Sequence, residues 1–320
     1  MKRNLYIYFI MLVITVSSRG LLAQTQPLYN QYQFNQLAIN PAYAGSKNAL
    51  ETSFFLHRQT VKINGAPSTE SFTIHAPIAS DKVGLGLKVF HDKYGVTNTT
   101  YIGVDYAYRI HINSNLAASF GLEASIANYS INYFELDAFN AGDPAFTETA
   151  ESYFSPNFGA GAYLHSDKFY CGISSISLLG FDDVKSTAKD SVYDETFEQT
   201  KHIYATAGAM LEVTDNFSVM PDFLLKVANF APAQLDINLS FIFYNSLLVG
   251  GGYRTNKSFT FVAEYMIDIE NTLFSHEAGI GYSFNSTTGF ESSFLGPSHE
   301  IFIVYRFNKY NTSIKNPRFF

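Results

Sequence analysis

The sequence predicts an all-β protein: a single antiparallel transmembrane β-barrel of about 14 strands with an N-terminal plug-like segment. Three observations lead to this fold class. Apolar and polar residues alternate along many segments, which is the period of a β-strand. Charged residues make up 15% of the chain, against about 25% in soluble domains, whereas Phe and Tyr are abundant. Beyond the N-terminus, no stretch of about 18 apolar residues predicts a transmembrane helix.

Residues 1–23 have the pattern of a signal peptide. Lys2 and Arg3 precede an apolar run over 5–16, and Ala23 offers a small residue at a cleavage site. The run is too short to cross a bilayer comfortably, because a spanning helix needs about 20 residues. We therefore expect export from the cytoplasm, with an N-terminal membrane anchor as the alternative.

The stretch FNQLAINPAYAG, residues 34–45, has the period of neither a helix nor a strand. Pro41 biases Asn40 towards an extended conformation, and Gly45 permits a sharp turn. Irregular, apolar backbone at membrane depth must be enclosed by protein. We therefore expect region 24–48 to fold back against the lumen or the periplasmic rim, as a partial plug or docking element, with a disordered lead-in as the alternative. The residues assigned to this element are Phe34, Asn35, Gln36, Asn40, Pro41, Tyr43 and Gly45.

The barrel is expected over residues 49–307. Alternation is clearest over 83–90, 101–110 and 116–126. A soluble sandwich would also have one apolar face, but here the apolar faces include Tyr or Phe, and the polar faces carry Gly and Ala beside isolated charges. These features are typical of an interfacial girdle and of a crowded lumen. The expected strand centres are Phe54, Thr73, Leu87, Val104, Leu122, Gly161, Ile173, Gly208, Leu224, Leu239, Gly250, Val262, Gly279 and Ile303.

The connections between these strands mostly alternate between short and long, as in barrels with short periplasmic turns and long surface loops. The alternation fails at 255–257, where a surface loop is expected but the connection is short. The last strand ends near residue 307, and a polar tail over 308–320 is expected to return to the periplasm. The expected long loops are 58–68, 92–98, 130–153, 179–202 and 285–298.

A series of short motifs runs through nearly the whole chain after residue 23. In order, they are FNQLAINPAYAG, Arg58-Gln59, Gly65-Ala66-Pro67, GLGLKVFHDKYG, DAFNAGDPAF, FYCGISSISLL and SHEIFIVYRF. Together they closely resemble the PorP/SprF family, outer-membrane proteins of the type IX secretion system in Bacteroidetes. One position departs from the family, because Thr60 follows Gln59 where the family often has Trp.

The resemblance implies a protein of the outer membrane that assists secretion or surface anchoring of cargo, such as gliding adhesins, by binding and scaffolding. The implied partners are the cargo's C-terminal domain, periplasmic and outer-membrane components of the secretion and gliding machinery, and membrane lipid. Long surface loops on a rigid barrel are expected to carry the recognition. The motif residues assigned to these loops are Gly65, Ala66, Pro67, Asp143 and Pro144. The competing interpretation is an outer-membrane porin or a hydrophobic-solute channel.

We expect no catalytic site, no metal site and no cofactor. The eight His residues are scattered, and the single cysteine, Cys171, excludes an intrachain disulfide. A Ser–His hydrolase pair is not expected at 165–166 or 298–299, because adjacent residues of a strand point to opposite faces. The net charge of −7 without a basic run argues against binding of nucleic acid.

Three charged residues are expected to face the interior of the barrel on adjacent strands. These are Asp105, Arg109 and Glu123, each on the polar side of its alternating segment. We expect them to cross-link the lumen of a narrow barrel, with a solute filter as the alternative.

Overall fold

A computed structural model describes residues 31–47, 49–59, 65–79, 81–132, 151–179, 201–228, 231–270, 275–288 and 296–308. The expected signal peptide and residues 309–320 of the expected tail lie outside these ranges. In the part of the chain so described, no helix is long and apolar enough to cross a membrane.

The described residues are organised as β-strands preceded by three single-turn 3-10 helices. The helices are η1 (Tyr32–Phe34), η2 (Gln36–Ala38) and η3 (Pro41–Tyr43). The strands are β1 (Leu50–Arg58), β2 (Ser68–Ala79), β3 (Val83–Tyr94), β4 (Thr97–Asn113), β5 (Leu116–Ile131), β6 (Glu151–Ser166), β7 (Phe169–Ser175), β8 (His202–Ala209), β9 (Leu211–Thr214), β10 (Phe217–Ala228), β11 (Gln234–Phe243), β12 (Leu247–Arg254), β13 (Ser258–Glu270), β14 (Ser275–Thr287) and β15 (Ser298–Asn308).

These strands close into one antiparallel barrel. Strands β8 and β9 both pair with β10 and are two parts of one strand interrupted at Met210, which gives fourteen strands around the barrel. Strand β1 pairs with β15 in a register that runs from Leu50↔Phe307 to Arg58↔His299. Because a closed barrel has no free edge, its backbone polar groups are paired even where lipid surrounds it. The predicted fold class is confirmed, and each expected strand centre lies within a strand.

The two faces of the wall have opposite chemistry. On β4, the outward side chains of Ile102, Val104 and Tyr106 are 43%, 52% and 46% exposed. Between them, the inward Asp105 is 0% exposed. An apolar outside and a polar inside are the arrangement of a barrel that sits in lipid, whereas a soluble domain would have its apolar side chains within.

The two ends of the barrel differ in their connections. At one end, called here the turn end, tight turns join β2 to β3, β4 to β5 and β6 to β7, and β1 begins and β15 ends there. At the other, called the loop end, lie the longest connections in sequence, those between Ile131 and Glu151 and between Ser175 and His202.

The prediction of a long loop over 92–98 is wrong. Strand β3 continues to Tyr94, which pairs with Thr97 of β4, so only Gly95 and Val96 form the connection. Gly95 has φ +58°, which allows this tight turn. The polar residues that suggested a loop belong to strand ends at the rim of the barrel, where polar side chains are compatible with a strand.

Residues 31–47, called here the internal segment, have the expected backbone conformation at Asn40 and Gly45. Asn40 is extended, with φ −139° and ψ 110°, and its side chain accepts a 3.0 Å hydrogen bond from the Ala42 amide. This is an N-cap of η3, with Pro41 at the first helical position. Gly45 has φ +70°, and the chain turns there towards β1.

The internal segment lies within the barrel. Every residue from Gln31 to Lys47 is buried. The segment contacts strands on opposite sides of the closed wall: Lys88 on β3, Ser174 on β7 and Phe302 on β15 all touch it. A segment that reaches opposite walls of a closed cylinder must cross its interior.

Candidate functional site

The seat of the internal segment is a set of inward-facing glycines, called here the glycine seat: Gly84, Gly86, Gly121, Gly161 and Gly172. A Cβ atom on Gly172 would lie 2.8 Å from Asn40 Nδ2, and one on Gly86 would lie 3.1 Å from Leu37 Cδ1. A Cβ atom on Gly121 would overlap the backbone at Ala42. The segment therefore approaches the wall as closely as it does because these positions carry no side chain.

A buried lysine holds the middle of the segment. Lys88 Nζ lies 2.8 Å from Glu123 Oε2 and 3.4 Å from Asp105 Oδ1, and it donates a 3.1 Å hydrogen bond to the Leu37 carbonyl. Asp105 and Glu123 are directly opposite each other on β4 and β5. Tyr101 also donates to Glu123. We call Lys88, Asp105 and Glu123 the lysine clamp, because two carboxylates orient one ammonium group towards the segment.

Of the three predicted luminal charges, only two lie together. Asp105 and Glu123 share Lys88, whereas Arg109 donates to the Gly45 carbonyl, near the end of the segment that leads into β1. Lys88 was not among the predicted site residues. Its signal was present in the sequence, because Lys88 shares the inward parity of Gly84 and Gly86 on β3.

Further wall side chains bind the main chain of the segment. Ser174 donates a 2.6 Å hydrogen bond to the Ile39 carbonyl. The Gly45 amide donates to His75 Nδ1 at 3.1 Å. In the reverse direction, Asn40 Nδ2 donates to the Ala162 carbonyl of the wall at 3.1 Å. The contacts of Lys88, Ser174 and His75 are made to main-chain groups of the segment, so they do not depend on the side chains at those positions.

Tyr32 anchors the start of the segment to the far wall. Its hydroxyl donates to Asp222, and Asn238 Nδ2 lies 3.0 Å from the Tyr32 oxygen and 2.8 Å from Asp222 Oδ1. Burial raises the pKa of Tyr32 well above its usual value, and the nearby Asp222 charge raises it further. The hydroxyl therefore stays protonated and available as a donor.

Aromatic contacts complete the packing of the segment. Phe34 stacks on Phe302 with ring centroids 4.7 Å apart. Tyr43 meets Tyr163 and His75 edge-on, at 5.5 Å and 5.1 Å. The predicted plug residues Asn35 and Gln36 are buried as well, and Thr73 donates a 3.1 Å hydrogen bond to Asn35.

A charge network lies beside the point where the segment joins β1. Arg306 donates to Glu51 and lies 3.4 Å from Glu277, and His75 Nε2 lies 3.1 Å from Glu51 Oε1. Lys47 is buried against this network. Burial lowers the pKa of Lys47 to about 7, with repulsion from Arg306 adding to the effect and the attraction of Glu51 opposing it.

The predicted surface-loop motif lies apart from this interior site. Gly65 follows β1 with φ +73°, and its carbonyl accepts a 2.9 Å hydrogen bond from the Gly95 amide. The Pro67 carbonyl accepts one from Gln59 at 2.9 Å. The contact of Gly65 ties the β1–β2 connection to the β3–β4 turn at the loop end, and the contact of Pro67 joins the two sides of that connection. Asp143 and Pro144 lie outside the described residues.

The structure offers no metal centre among the residues that it describes: no group of three or more His, Cys, Asp or Glu side chains is placed to hold an ion. Cys171 is exposed on the outward face of β7.

Comparison with known protein families gives one match over most of the chain. A family model described as "Type IX secretion system membrane protein PorP/SprF" matches residues 21–305. No curated protein matches the sequence.

Among solved structures, the chain is similar to several membrane barrels. The Ralstonia pickettii toluene transporter TbuX is 10% identical with a TM-score of 0.50, covering 87% of this chain and 94% of its own. The CymD monoaromatic hydrocarbon channel is 12% identical with a TM-score of 0.49, covering 90% and 94%. The Pseudomonas putida toluene transporter TodX is 10% identical with a TM-score of 0.45, covering 91% and 96%. At such identities the likeness concerns the fold alone.

Proposed function

The chain belongs to the PorP/SprF family of type IX secretion system membrane proteins, and on this basis we propose that it assists the secretion or surface anchoring of cargo proteins. It does so from the outer membrane, by binding and scaffolding. The family match over residues 21–305 is the observation that carries the proposal. Gliding adhesins of Bacteroidetes are the cargo class that the family suggests.

The interior of the barrel supports binding over solute transport. Residues 31–47 cross the lumen and contact the wall from β3 to β15. A porin needs a continuous open route through the barrel, and here the chain's own backbone occupies the middle of that route. We therefore assign the internal segment as the plug expected from the sequence.

The two ends of the barrel suggest a division of roles. Long loops at the loop end would engage the cargo's C-terminal domain, since the longest connections in sequence follow β5 and β7. The turn end, where β1 begins and β15 ends, would face periplasmic components of the secretion machinery. The outward apolar faces of the strands would contact lipid.

A loop exchange tests the assignment of cargo binding to the loop end. The connections over 132–150 and 176–201 are replaced by short turns in the full-length, affinity-tagged protein, and cargo is captured from detergent-solubilised membranes. We expect the wild-type barrel to retain cargo and the loop-exchanged barrel to lose it. The matched control replaces residues 244–246, a turn at the opposite end. Normal capture by the loop-exchanged barrel would refute the assignment.

Conductance distinguishes this function from the competing one. A porin or hydrophobic-solute channel would pass ions or solute when the purified wild-type protein is placed in a planar bilayer. A scaffold with an occupied lumen would not. The transporters and channels named above resemble this chain in fold alone. Their substrates provide no evidence about what this chain binds.

A further inference from the structure

We propose that the internal segment is a docked closure, separable from the barrel wall, so that undocking it converts a closed barrel into an open pore. The inference concerns the purified protein and does not rest on a role in secretion. It names the residues that keep the lumen shut.

The wall closes without help from the segment. Strands β1 and β15 pair over the full length of β1, so the ring of strands is complete. Among the ladders of the described strands, none includes residues 31–47. Removing the segment from its seat would therefore break no backbone pairing of the barrel.

Besides the aromatic packing of Phe34 and Tyr43, individual hydrogen bonds hold the segment to the wall. Lys88, Ser174 and Arg109 each donate to a carbonyl of the segment, those of Leu37, Ile39 and Gly45. Hydrogen bonds of this type are individually modest, and they are stronger where the donor is charged, as it is for Lys88 and Arg109. These hydrogen bonds hold the segment in the way that a binding site holds a peptide. A single substitution in the wall can therefore weaken one of them while the segment stays covalently attached.

These links surround the segment. Besides the carbonyl contacts on β3, β4 and β7, the segment is bound by Thr73 on β2, by Ala162 on β6 and by Asp222 on β10. Because the segment is anchored to strands around the barrel, it obstructs the cross-section of the lumen. Barrels of about 16 strands leave an aqueous channel when nothing fills them, whereas those of about 8 strands are filled by side chains. A fourteen-strand barrel emptied of this segment should conduct.

The glycine seat makes the closure easy to disturb selectively. A valine at Gly121 would place its Cβ where the backbone of Ala42 lies, so the segment could not return to its position. The neighbouring Leu122 points outward and is 64% exposed, so Leu122→Val changes the lipid face alone. Lys88→Met removes the cation of the clamp, and Lys82→Met, at an exposed turn position, is its control.

The test measures conductance of full-length protein refolded into planar bilayers. We expect wild type, Leu122→Val and Lys82→Met to give no channel steps, and Gly121→Val and Lys88→Met to give resolved single-channel steps. The heat-dependent gel shift of barrels identifies folded protein before each recording. Steady conductance of the wild type would overturn the proposal, and so would folded Gly121→Val and Lys88→Met proteins that stay closed.

Limited proteolysis of the same samples provides a second readout. The wild type should resist cutting between residues 35 and 43, and Gly121→Val should be cut there with its barrel fragment intact. Rapid cutting of the wild type in this region would contradict a docked closure. If Gly121→Val fails to fold, Lys88→Met and the wild-type measurements decide the question.

Discussion

The ammonium group of Lys88 donates a 3.1 Å hydrogen bond to the main-chain carbonyl of Leu37, inside the barrel and away from solvent. The two residues are 51 positions apart, one on the wall and one on the internal segment. Asp105 and Glu123 position the same ammonium group. The position of the segment therefore depends on these two buried carboxylates. A change in the charges of the lysine clamp should disturb the docking of the internal segment, and a displaced segment should disturb the clamp.

The first prediction concerns the stability of the lysine clamp. Lys88→Met leaves Asp105 and Glu123 buried without their cation, and loss of one partner of a buried ion pair costs about 3–5 kcal/mol. We expect a loss of that size in the free energy of unfolding, measured by urea titration in lipid vesicles. The exposed control Lys82→Met should change it by less than about 0.5 kcal/mol. Equal midpoints for wild type and Lys88→Met would show that the clamp is not formed.

The second prediction separates the two groups of luminal charge. Asp105 pairs with Lys88, whereas Arg109 binds Gly45, so the two contacts share no partner. We expect the losses from Asp105→Ala and Arg109→Ala to add within about 0.5 kcal/mol in the double variant. Asp105→Ala and Lys88→Met should instead be strongly non-additive, because each removes the same ion pair. An Asp105→Ala, Arg109→Ala variant that melts like the wild type would rule out a structural role for both residues.

The third prediction compares two glycines with the same backbone angle. Gly45 and Gly65 have φ of +70° and +73°, but a Cβ on Gly45 would lie 2.8 Å from Gly84 Cα, whereas the nearest atom at Gly65 is 3.5 Å away. Gly65→Ala should therefore cost only the left-handed strain, about 1–2 kcal/mol. Gly45→Ala adds a collision with the wall and should cost clearly more in the same urea titration. Indistinguishable costs would mean that the segment does not press against the wall at Gly45.

The fourth prediction places the β14–β15 hairpin in the bilayer. On its outer face, Phe284 lies opposite His299, and Phe307 lies opposite His276 eight residues further along β15. At about 3.3 Å per residue and a strand tilt of about 40°, these rows are roughly 20 Å apart along the membrane normal. Ile303 lies midway between them.

The chain has no tryptophan, so single-tryptophan variants report one position each. In vesicles of lipids brominated at different depths, we expect Phe284→Trp and Phe307→Trp to be quenched best by bromine near the headgroups. The central control Ile303→Trp should be quenched best by bromine near the chain ends. Quenching of all three at one depth would contradict this placement of the hairpin.

Much of the wall could be predicted because its signal is local. Alternation over 83–90 and 101–110 identifies both the strands and their inward faces, and Asp105 is inward as that parity requires. The angles of Asn40 and Gly45 also follow from neighbouring residues alone. The prediction of a loop over 92–98 was wrong because the sequence does not distinguish polar residues at a strand end from polar residues in a loop.

The contacts of the internal segment could not be predicted because its partners are remote in sequence. Tyr32 meets Asp222, 190 positions away, and Asn40 meets Ala162, 122 positions away. Glycines on the inner face of the wall were noted as a sign of a crowded lumen, but no pattern shows which residue each of them accommodates. The inward position of Lys88 follows from its parity on β3, but its target does not, since that target is a main-chain carbonyl that any residue at position 37 would present.

The most direct test of the proposed function is the location of cargo in cells that lack this protein. The gene is deleted in the bacterium that encodes it, and a cargo protein bearing a type IX C-terminal domain is followed by surface labelling of intact cells. We predict that surface cargo is lost on deletion and restored by the wild-type gene, with solute uptake unchanged. Undiminished surface cargo together with impaired uptake of a solute would contradict the account and favour a channel.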